Sequence, residues 1–173
     1  MLANTHIDPS VQVVYNSALI QYNGAIMPTY AVNKKARHDY EILNSIEAGL
    51  MLSGNEVKAI RSGLMKLTGA YVTFHKNEAF LTGAHIGKYK QASNLEGYDP
   101  MQSRKLLLKR SQIDDLHGKL AEKGLTIVPL SVYTKGRHIK VEVGLGKGKK
   151  LHDKRRTLKK RDLDRQAQRL MKN

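Results

Sequence analysis

The chain has 173 residues, with 30 lysines and arginines against 15 aspartates and glutamates, so its formal net charge is +15 and its pI about 10.0. It contains no cysteine, which excludes thiol nucleophiles, disulfides and cysteine-ligated zinc or iron–sulfur sites. A chain of this length can bury a hydrophobic core, and a charge this basic is typical of proteins that bind a polyanion such as RNA.

The charge is distributed unevenly along the chain. Residues 1–30 have a net charge of −1, residues 31–146 of +7 and residues 147–173 of +9. We therefore expect an N-terminal extension (1–30), a basic domain (31–146) and a strongly basic tail (147–173). The extension has neither a basic start nor a long apolar run, which favours a cytoplasmic protein without a membrane segment. Since basic residues begin just after Met27, this methionine is a candidate translation start.

Strand patterns dominate the middle of the chain. Residues 40–52 predict one long strand, residues 70–75 alternate apolar and polar side chains, and residues 79–86 follow a polar turn. Residues 125–133 are rich in β-branched residues, and Pro129 predicts an edge or a bulge there. Residues 138–145 show the clearest alternation of the chain, so we expect a small antiparallel β-barrel of five or six strands.

Three short helices are expected within this barrel. Ser53 and Glu56 have the spacing of a capping box, which predicts a helix that ends near Gly63. Asp99 and Pro100 predict the start of a second helix over residues 100–110. Ser111 predicts the start of a third, with an apolar face that ends before residue 124.

Catalytic and metal-binding patterns are missing from the sequence. The seven histidines are scattered and none has the spacing of a metal-binding motif, so we expect no metal site and no cofactor. The glycine- and lysine-rich residues 144–150 lack the spacing of a phosphate-binding loop and are interpreted as a strand end and a basic linker. We therefore predict that the protein is not an enzyme.

The tail combines charge with a weak helical pattern. Leu163, Ala167, Leu170 and Met171 lie on one helical stripe among basic residues. This favours a segment that becomes helical on a surface lined with phosphates, whereas composition alone favours a tail that binds RNA without specificity.

Six stretches resemble the small protein B (SmpB) family, the partners of transfer-messenger RNA (tmRNA). They are NKKARHDY (33–40), EAGLMLSGNEVKAIRSG (47–63), DPMQSRKLLLKR (99–110), KGLTIVPLSVY (123–133), KVEVGLGKGKKLHDKRRTLKKRD (140–162) and RLMKN (169–173). Together with the strands between them, they cover residues 33–173.

The resemblance implies a fold and a function. The fold is a mainly β, oligonucleotide-binding (OB)-like antiparallel barrel with about three short helices and a basic tail that is disordered when free. The function is binding of the tRNA-like domain of tmRNA and its delivery, with elongation factor Tu and GTP, to stalled ribosomes for trans-translation. The tail would enter the decoding centre of the 30S subunit and the empty mRNA channel.

The resemblance also implies contact residues. Those for RNA are Asn33, Lys34, Arg37, His38, Glu47, Lys58, Arg61, Arg104, Lys105 and Leu107. Those of the tail are Gly148, Lys149, Lys150, Asp153, Lys154, Arg155, Leu170 and Met171.

Alternative roles stand beside several of these residues. Glu47 is either an acceptor for base amino groups or part of a structural ion pair, because a carboxylate repels phosphate. Leu107 either packs on an unstacked base or belongs to the core, and His38 contacts RNA or is an ordinary surface residue. For the whole protein, the alternative is a basic ribosomal or general RNA-binding structural protein; a nuclease is disfavoured because catalytic constellations are missing from the sequence.

Overall fold

A computed structural model describes residues 15–16, 19–22, 25–92, 96–150 and 153 of the chain. Three helices have both ends within this part, namely α1 (Lys34–Asp39), α2 (Gly54–Arg61) and α3 (Arg110–Leu120). The strands are β1 (Tyr15–Asn16), β2 (Leu19–Tyr22), β3 (Ala25–Val32), β4 (Tyr40–Leu50), β5 (Met65–Lys66), β6 (Tyr71–His75), β7 (Glu78–Thr82), β8 (His85–Ile86), β9 (Arg104–Leu107), β10 (Leu125–Lys135) and β11 (His138–Gly148). The predicted mainly β class is confirmed.

Nine of these strands form one antiparallel sheet in the order β1-β2-β3-β10-β11-β4-β9-β7-β6, and β5 pairs separately with β8. Strand β6 packs against β10, so the sheet curls back over its own middle. The result is a partly open barrel, as expected for an OB-like fold. Strand β3 crosses residue 30, where we predicted the boundary of the domain; that division stays a prediction.

The core lies inside the curled sheet. Ile139, Val141, Val143 and Leu145 of β11 are all buried there, which confirms the alternation seen in the sequence. Leu116 of α3 packs against the same cluster and covers this part of the barrel. The residues that alternate with them on β11 face the opposite, outer side of the sheet, which also carries four of the predicted contact residues.

A second, smaller apolar cluster lies on the outer side of the sheet, under α1. Ala36 of α1 packs there with Val128 and Leu130 of β10, and Tyr40 and Ile42 border it. Where strand β11 passes beneath this cluster its residue is Gly144, which contributes no side chain. A Cβ atom added at Gly144 would lie 2.8 Å from Cδ1 of Leu130 and 3.1 Å from Cγ2 of Ile42, so these two side chains fill the space above the glycine.

Several local predictions are confirmed. The Ser53 Oγ accepts a hydrogen bond from the Glu56 N–H while the Glu56 carboxylate accepts one from the Ser53 N–H, which completes the capping box of α2. Lys76 and Asn77 have positive φ angles in the two-residue turn between β6 and β7. The register of β10 against β11 shifts just after Pro129, where a bulge was expected.

The predicted helix over residues 100–110 is wrong. Asp99 Oδ1 does accept a hydrogen bond from the Met101 N–H at 2.8 Å, but it closes a turn and no helix follows. Residues 104–107 form strand β9 instead, because the edges of β4 and β7 flank it on both sides and supply its backbone partners. The sequence RKLLLKR favours a helix locally, and tertiary pairing overrides that preference.

Two further differences concern short elements. The strand predicted over residues 79–86 is split at Gly83, whose φ of +74° ends β7 before β8 begins. Helix α1 was not predicted, because its six residues are too few to show an apolar period.

In the part of the chain that the structure describes, no helix is long and apolar enough to span a membrane.

Candidate nucleic-acid interface

Four predicted contact residues share the outer face of the sheet. Leu107 of β9 pairs with Gly49 of β4, and a Cβ atom added at Gly49 would lie 3.1 Å from the Leu107 Cβ. Glu47 lies two residues before Gly49, and Lys105 lies two residues before Leu107, so both are on the same face by strand periodicity. Arg37 reaches this face from α1, which packs on it. We call Arg37, Glu47, Lys105 and Leu107 the outer face.

Glu47 is held by two partners from β10. The Tyr133 hydroxyl donates a hydrogen bond to Glu47 Oε2 at 2.6 Å, and the Lys135 ammonium lies 3.2 Å from the same oxygen. The side chain keeps 30 % of its surface exposed. The ion-pair role considered for Glu47 is therefore present, and the carboxylate is also oriented and open to a further donor.

A second carboxylate lies beside Glu47. Glu142 of β11 is directly opposite Glu47 in the sheet, a position at which like charges repel each other. The Ser131 hydroxyl donates to Glu142 at 3.0 Å, and the Arg37 guanidinium lies 3.5 Å from the same oxygen. Each acidic side chain thus has its own cation, and the two ion pairs lie side by side on neighbouring strands.

Leu107 is one of the exposed apolar side chains of the sheet. Its side chain is 52 % exposed, whereas that of its neighbour Leu106 is 1 % exposed and lies in the core. Met51, whose backbone N–H donates to the Lys105 carbonyl, is also exposed. Lys105 itself forms an ion pair with Glu78. Of the two roles considered for Leu107, core packing does not apply, and an apolar surface suited to an unstacked base remains.

Asn33 is buried, and its side chain bonds within the protein. Its Nδ2 group donates to the Leu67 and Pro129 carbonyls, each at 3.0 Å, and its Oδ1 accepts from the Ala36 N–H at 3.0 Å. This side chain therefore caps α1 and ties the helix to β10. In the structure, the role of Asn33 is therefore to position α1.

Helix α1 presents two further predicted contact residues of this region. Lys34 is exposed in its first turn, and His38 Nδ1 lies 3.0 Å from Oδ1 of Asp39 in its last. Lys149, beyond the end of β11, donates from its ammonium to the Arg37 carbonyl at 3.1 Å and from its N–H to the Asp39 carbonyl at 2.9 Å. The beginning of the basic tail is thus joined to α1.

The remaining tail residues are only partly described. Gly148 ends β11, Lys150 is exposed, and Asp153 is half-buried. The other predicted tail contacts lie outside the described residues, as does the predicted apolar stripe. They are Lys154, Arg155, Leu163, Ala167, Leu170 and Met171.

Arg104 lies in the interior, away from the outer face. Its Nε donates to Glu56 at 2.9 Å, and its Nη1 donates to the Ala84 and Pro100 carbonyls at 2.7 and 3.0 Å. Burial alone raises the pKa of Glu56, but donation by Ser53 and the Arg104 guanidinium outweigh this effect and lower it. Arg104 therefore joins β9 to the first turn of α2. Because side chains alternate along a strand, the position of Leu106 in the core predicts that Arg104 also points inward and that Lys105 points outward.

Lys58 and Arg61 lie on α2, apart from the four outer-face residues. Both are exposed, and the Lys58 ammonium lies 5.8 Å from the ring centre of Tyr89. Arg61 donates to the Arg137 carbonyl in the β10–β11 turn at 3.4 Å. Sequence reasoning missed the partners of Glu47 and Arg37, because the predicted β10–β11 hairpin pairs Ser131 with Glu142 but only the pairing of β11 with β4 brings Glu47 beside them. These partners are Ser131, Tyr133, Lys135 and Glu142.

Comparison with known proteins decides the family. The family model described as SmpB protein matches residues 30–173, which include every predicted contact residue. The chain belongs to the SmpB family. An SsrA-binding protein of Psychrobacter sp. is 55 % identical over 139 residues, which cover 80 % of this chain and 88 % of that protein. That of Oleidesulfovibrio alaskensis is 48 % identical over 139 residues, or 80 % of this chain and 89 % of the relative.

A solved structure supports the same assignment. It is described as "tmRNA-SmpB: a journey to the center of the bacterial ribosome" and is 42 % identical to this chain, with a TM-score of 0.59. The similarity covers 72 % of this chain and 85 % of the solved one. Sequence and fold therefore agree on the SmpB family.

Proposed function

We propose that this SmpB-family chain is a non-catalytic RNA-binding protein that binds the tRNA-like domain of tmRNA and brings it to stalled ribosomes. The observation that carries the proposal is the family match over residues 30–173, which spans the whole outer face. The relatives are SsrA-binding proteins, and the similar solved structure is of tmRNA–SmpB in the context of the bacterial ribosome. The net charge of +15 suits a partner made of RNA.

The outer face fits a folded RNA better than a uniform duplex. The oriented Glu47 carboxylate can accept hydrogen bonds from base amino groups. Phosphate groups offer it no such donors. Leu107, half exposed, offers an apolar surface to an unstacked base. Arg37 and the exposed Lys34 supply positive charge for the RNA phosphates near that base. Asn33 supports this site indirectly, because it holds α1 in place.

The ribosomal step is assigned to α1 and to the tail. His38 and Lys149 both contact Asp39 at the C-terminal end of α1, where the tail begins. We propose that the tail, with Gly148, Lys149, Lys150, Asp153, Lys154, Arg155, Leu170 and Met171 as its contacts, enters the decoding centre and the empty mRNA channel of the 30S subunit. Elongation factor Tu with GTP would join through tmRNA, in the cytoplasm.

The decisive experiment is crosslinking of the full chain in its own cells, followed by sequencing of the RNA that co-purifies. We expect tmRNA to dominate, with crosslinks to outer-face residues. A broad ribosomal RNA signal without tmRNA would contradict the proposal and favour a ribosomal protein. Sedimentation adds a second readout, because a carrier is substoichiometric on ribosomes whereas an integral component is equimolar.

Truncation separates the two parts of the proposed function. A chain that ends at Lys150 keeps β11 and the contacts of Lys149 to α1. We expect it to bind the tRNA-like domain as the full chain does, and to fail in tagging of stalled peptides. Loss of RNA binding at unchanged thermal stability would contradict the division into a binding domain and a ribosomal tail.

A further inference from the structure

The chain stays attached to the barrel for one residue beyond β11. Gly148, the last residue of β11, pairs with Tyr40 of β4. The next residue, Lys149, donates its backbone N–H to the Asp39 carbonyl at 2.9 Å, so it continues this pairing along the end of α1. The first residue after the strand therefore has a fixed position beside the helix.

The side chain of Lys149 makes a second contact with α1. Its ammonium group donates to the Arg37 carbonyl at 3.1 Å. The last carbonyls of a helix lack partners within the helix and carry a partial negative charge, which suits a lysine. Lys149 is half-buried, whereas the nearby Lys147 and Lys150 are exposed. The positive charge of Lys149 is thus used within the protein.

Helix α1 is itself fixed at its other end. The Asn33 side chain donates to the Pro129 carbonyl at 3.0 Å, and the Asn33 N–H donates to the Leu130 carbonyl at 2.8 Å. Ala36 packs into the apolar cluster beneath the helix. The start of the tail is therefore connected to the outer face through one firmly held helix, which also carries Arg37.

We propose that Lys149 is a positioning residue, which holds the start of the tail against α1 and so sets the direction in which the tail leaves the barrel. This role rests on the proposed function, in which the tail enters the ribosome while the outer face holds tmRNA. Lys149 then acts differently from the other tail residues, because its ammonium group contacts the Arg37 carbonyl and not a phosphate. A tail whose first residue is ordered in advance loses less conformational entropy when it binds, and this loss opposes binding.

The test compares two lysine variants of the full chain. Lys149→Met removes the ammonium group but keeps the backbone N–H and a stem of similar length. Lys147→Met, the matched control, removes an exposed charge from β11 two residues earlier. We expect both variants to bind a transcript of the tRNA-like domain as the wild type does, because neither residue belongs to the outer face. In a reconstituted assay of tagging on stalled ribosomes, we expect Lys149→Met to lose about tenfold in rate and Lys147→Met to stay within about twofold of the wild type.

Salt dependence separates positioning from direct contact with phosphate. The affinity of the full chain for purified vacant ribosomes is measured at several salt concentrations. If the Lys149 ammonium group neutralised one ribosomal phosphate, Lys149→Met would lower the slope of log affinity against log salt by about 0.7–0.9. A positioning role predicts an unchanged slope and an affinity about tenfold lower at every salt concentration.

Amide exchange in the free protein measures the attachment itself. We expect the N–H of residue 149 to exchange about tenfold faster in Lys149→Met than in the wild type or in Lys147→Met, because the side chain no longer holds it against α1. The amides of β11 should keep their protection, which verifies that the barrel is intact.

Each measurement can contradict the positioning role. A lower salt slope in Lys149→Met, full tagging by this variant, an equal loss of tagging in the control or unchanged exchange at residue 149 overturns the proposal. Loss of protection throughout β11 would make Lys149 a general stabilising residue and overturn it as well. Failure of the proposed function gives a different result: the wild type would neither bind the tRNA-like domain nor support tagging, whereas the amide exchange of both variants could still be measured.

Discussion

The outer face and helix α2 both carry cations, and they differ in what those cations contact. On the outer face, Arg37 and Lys105 lie against carboxylates, and Lys135 lies against Glu47 beside them. Among the described residues, neither Lys58 nor Arg61 of α2 has a carboxylate within ion-pair distance. Ion pairing fixes the direction of a side chain and reduces its free charge, whereas an unpaired cation keeps its charge and adapts its position. The outer face is therefore suited to discrimination, and the exposed cations of α2 to affinity.

The largest expected effect concerns a cation that belongs to neither surface. Arg104→Ala leaves the buried Glu56 carboxylate without its charge partner, so we expect the free energy of unfolding to fall by about 3–5 kcal/mol. Urea denaturation measures this. The matched change Lys105→Ala, at the exposed neighbour, should cost less than about 1 kcal/mol. Equal effects of the two variants would mean that the interior position of Arg104 is wrong.

Two adjacent leucines test the outer face in the same way. Leu106→Ala empties part of the core and should lower the free energy of unfolding by about 2–5 kcal/mol. Leu107→Ala removes an exposed side chain, so stability should change by less than about 0.5 kcal/mol while affinity for the tRNA-like domain falls about tenfold. A stable Leu107→Ala protein with unaltered affinity would remove Leu107 from the interface.

Glu47 sharpens the comparison between discrimination and affinity. Glu47→Gln keeps the shape of the side chain but removes its charge, which weakens the hydrogen bonds from Tyr133 and from base amino groups. We expect roughly tenfold weaker binding to the tRNA-like domain and unchanged or tighter binding to unrelated RNA, because a negative charge is lost. Equal weakening toward both RNAs would indicate a disturbed fold and contradict a role in discrimination.

The smallest expected effect is a change of stability with pH. Because the pKa of Glu56 in the folded protein is lower than its usual value of 4.5, its charged form stabilises the fold above that pH. This contribution is lost as pH falls through the folded-state pKa. We expect the wild type to lose stability below about pH 4.5 more steeply than Glu56→Gln, in urea denaturation at several pH values. Parallel curves for the two proteins would contradict this.

Some of this could be predicted from the sequence, because the signals were local. The alternation along β11, the capping box of α2 and the turn before Glu78 depend on neighbouring residues, and all three are confirmed. Strand β9 could not be predicted, because its helix-forming residues adopt a strand only between β4 and β7. Propensity is a weak guide where pairing partners lie far along the chain.

The residues of the candidate site could likewise be predicted only in part. The family motif pointed to Glu47 and Leu107, and both lie on the outer face. The same motif also predicted Asn33 and Arg104 as RNA contacts, although both are buried and bond within the protein. Burial depends on which side of a strand or helix faces the core, and a motif does not contain that information.

The most direct test of this account is a competition experiment between the tRNA-like domain of tmRNA and an unrelated structured RNA of equal length. The ratio of the two affinities is measured for the wild type, for Leu107→Ala and for Lys58→Gln/Arg61→Gln. We expect Leu107→Ala to reduce the ratio about tenfold and the double variant to leave it unchanged. An unchanged ratio in Leu107→Ala, or a lost preference in the double variant, would contradict the claim that the outer face carries discrimination.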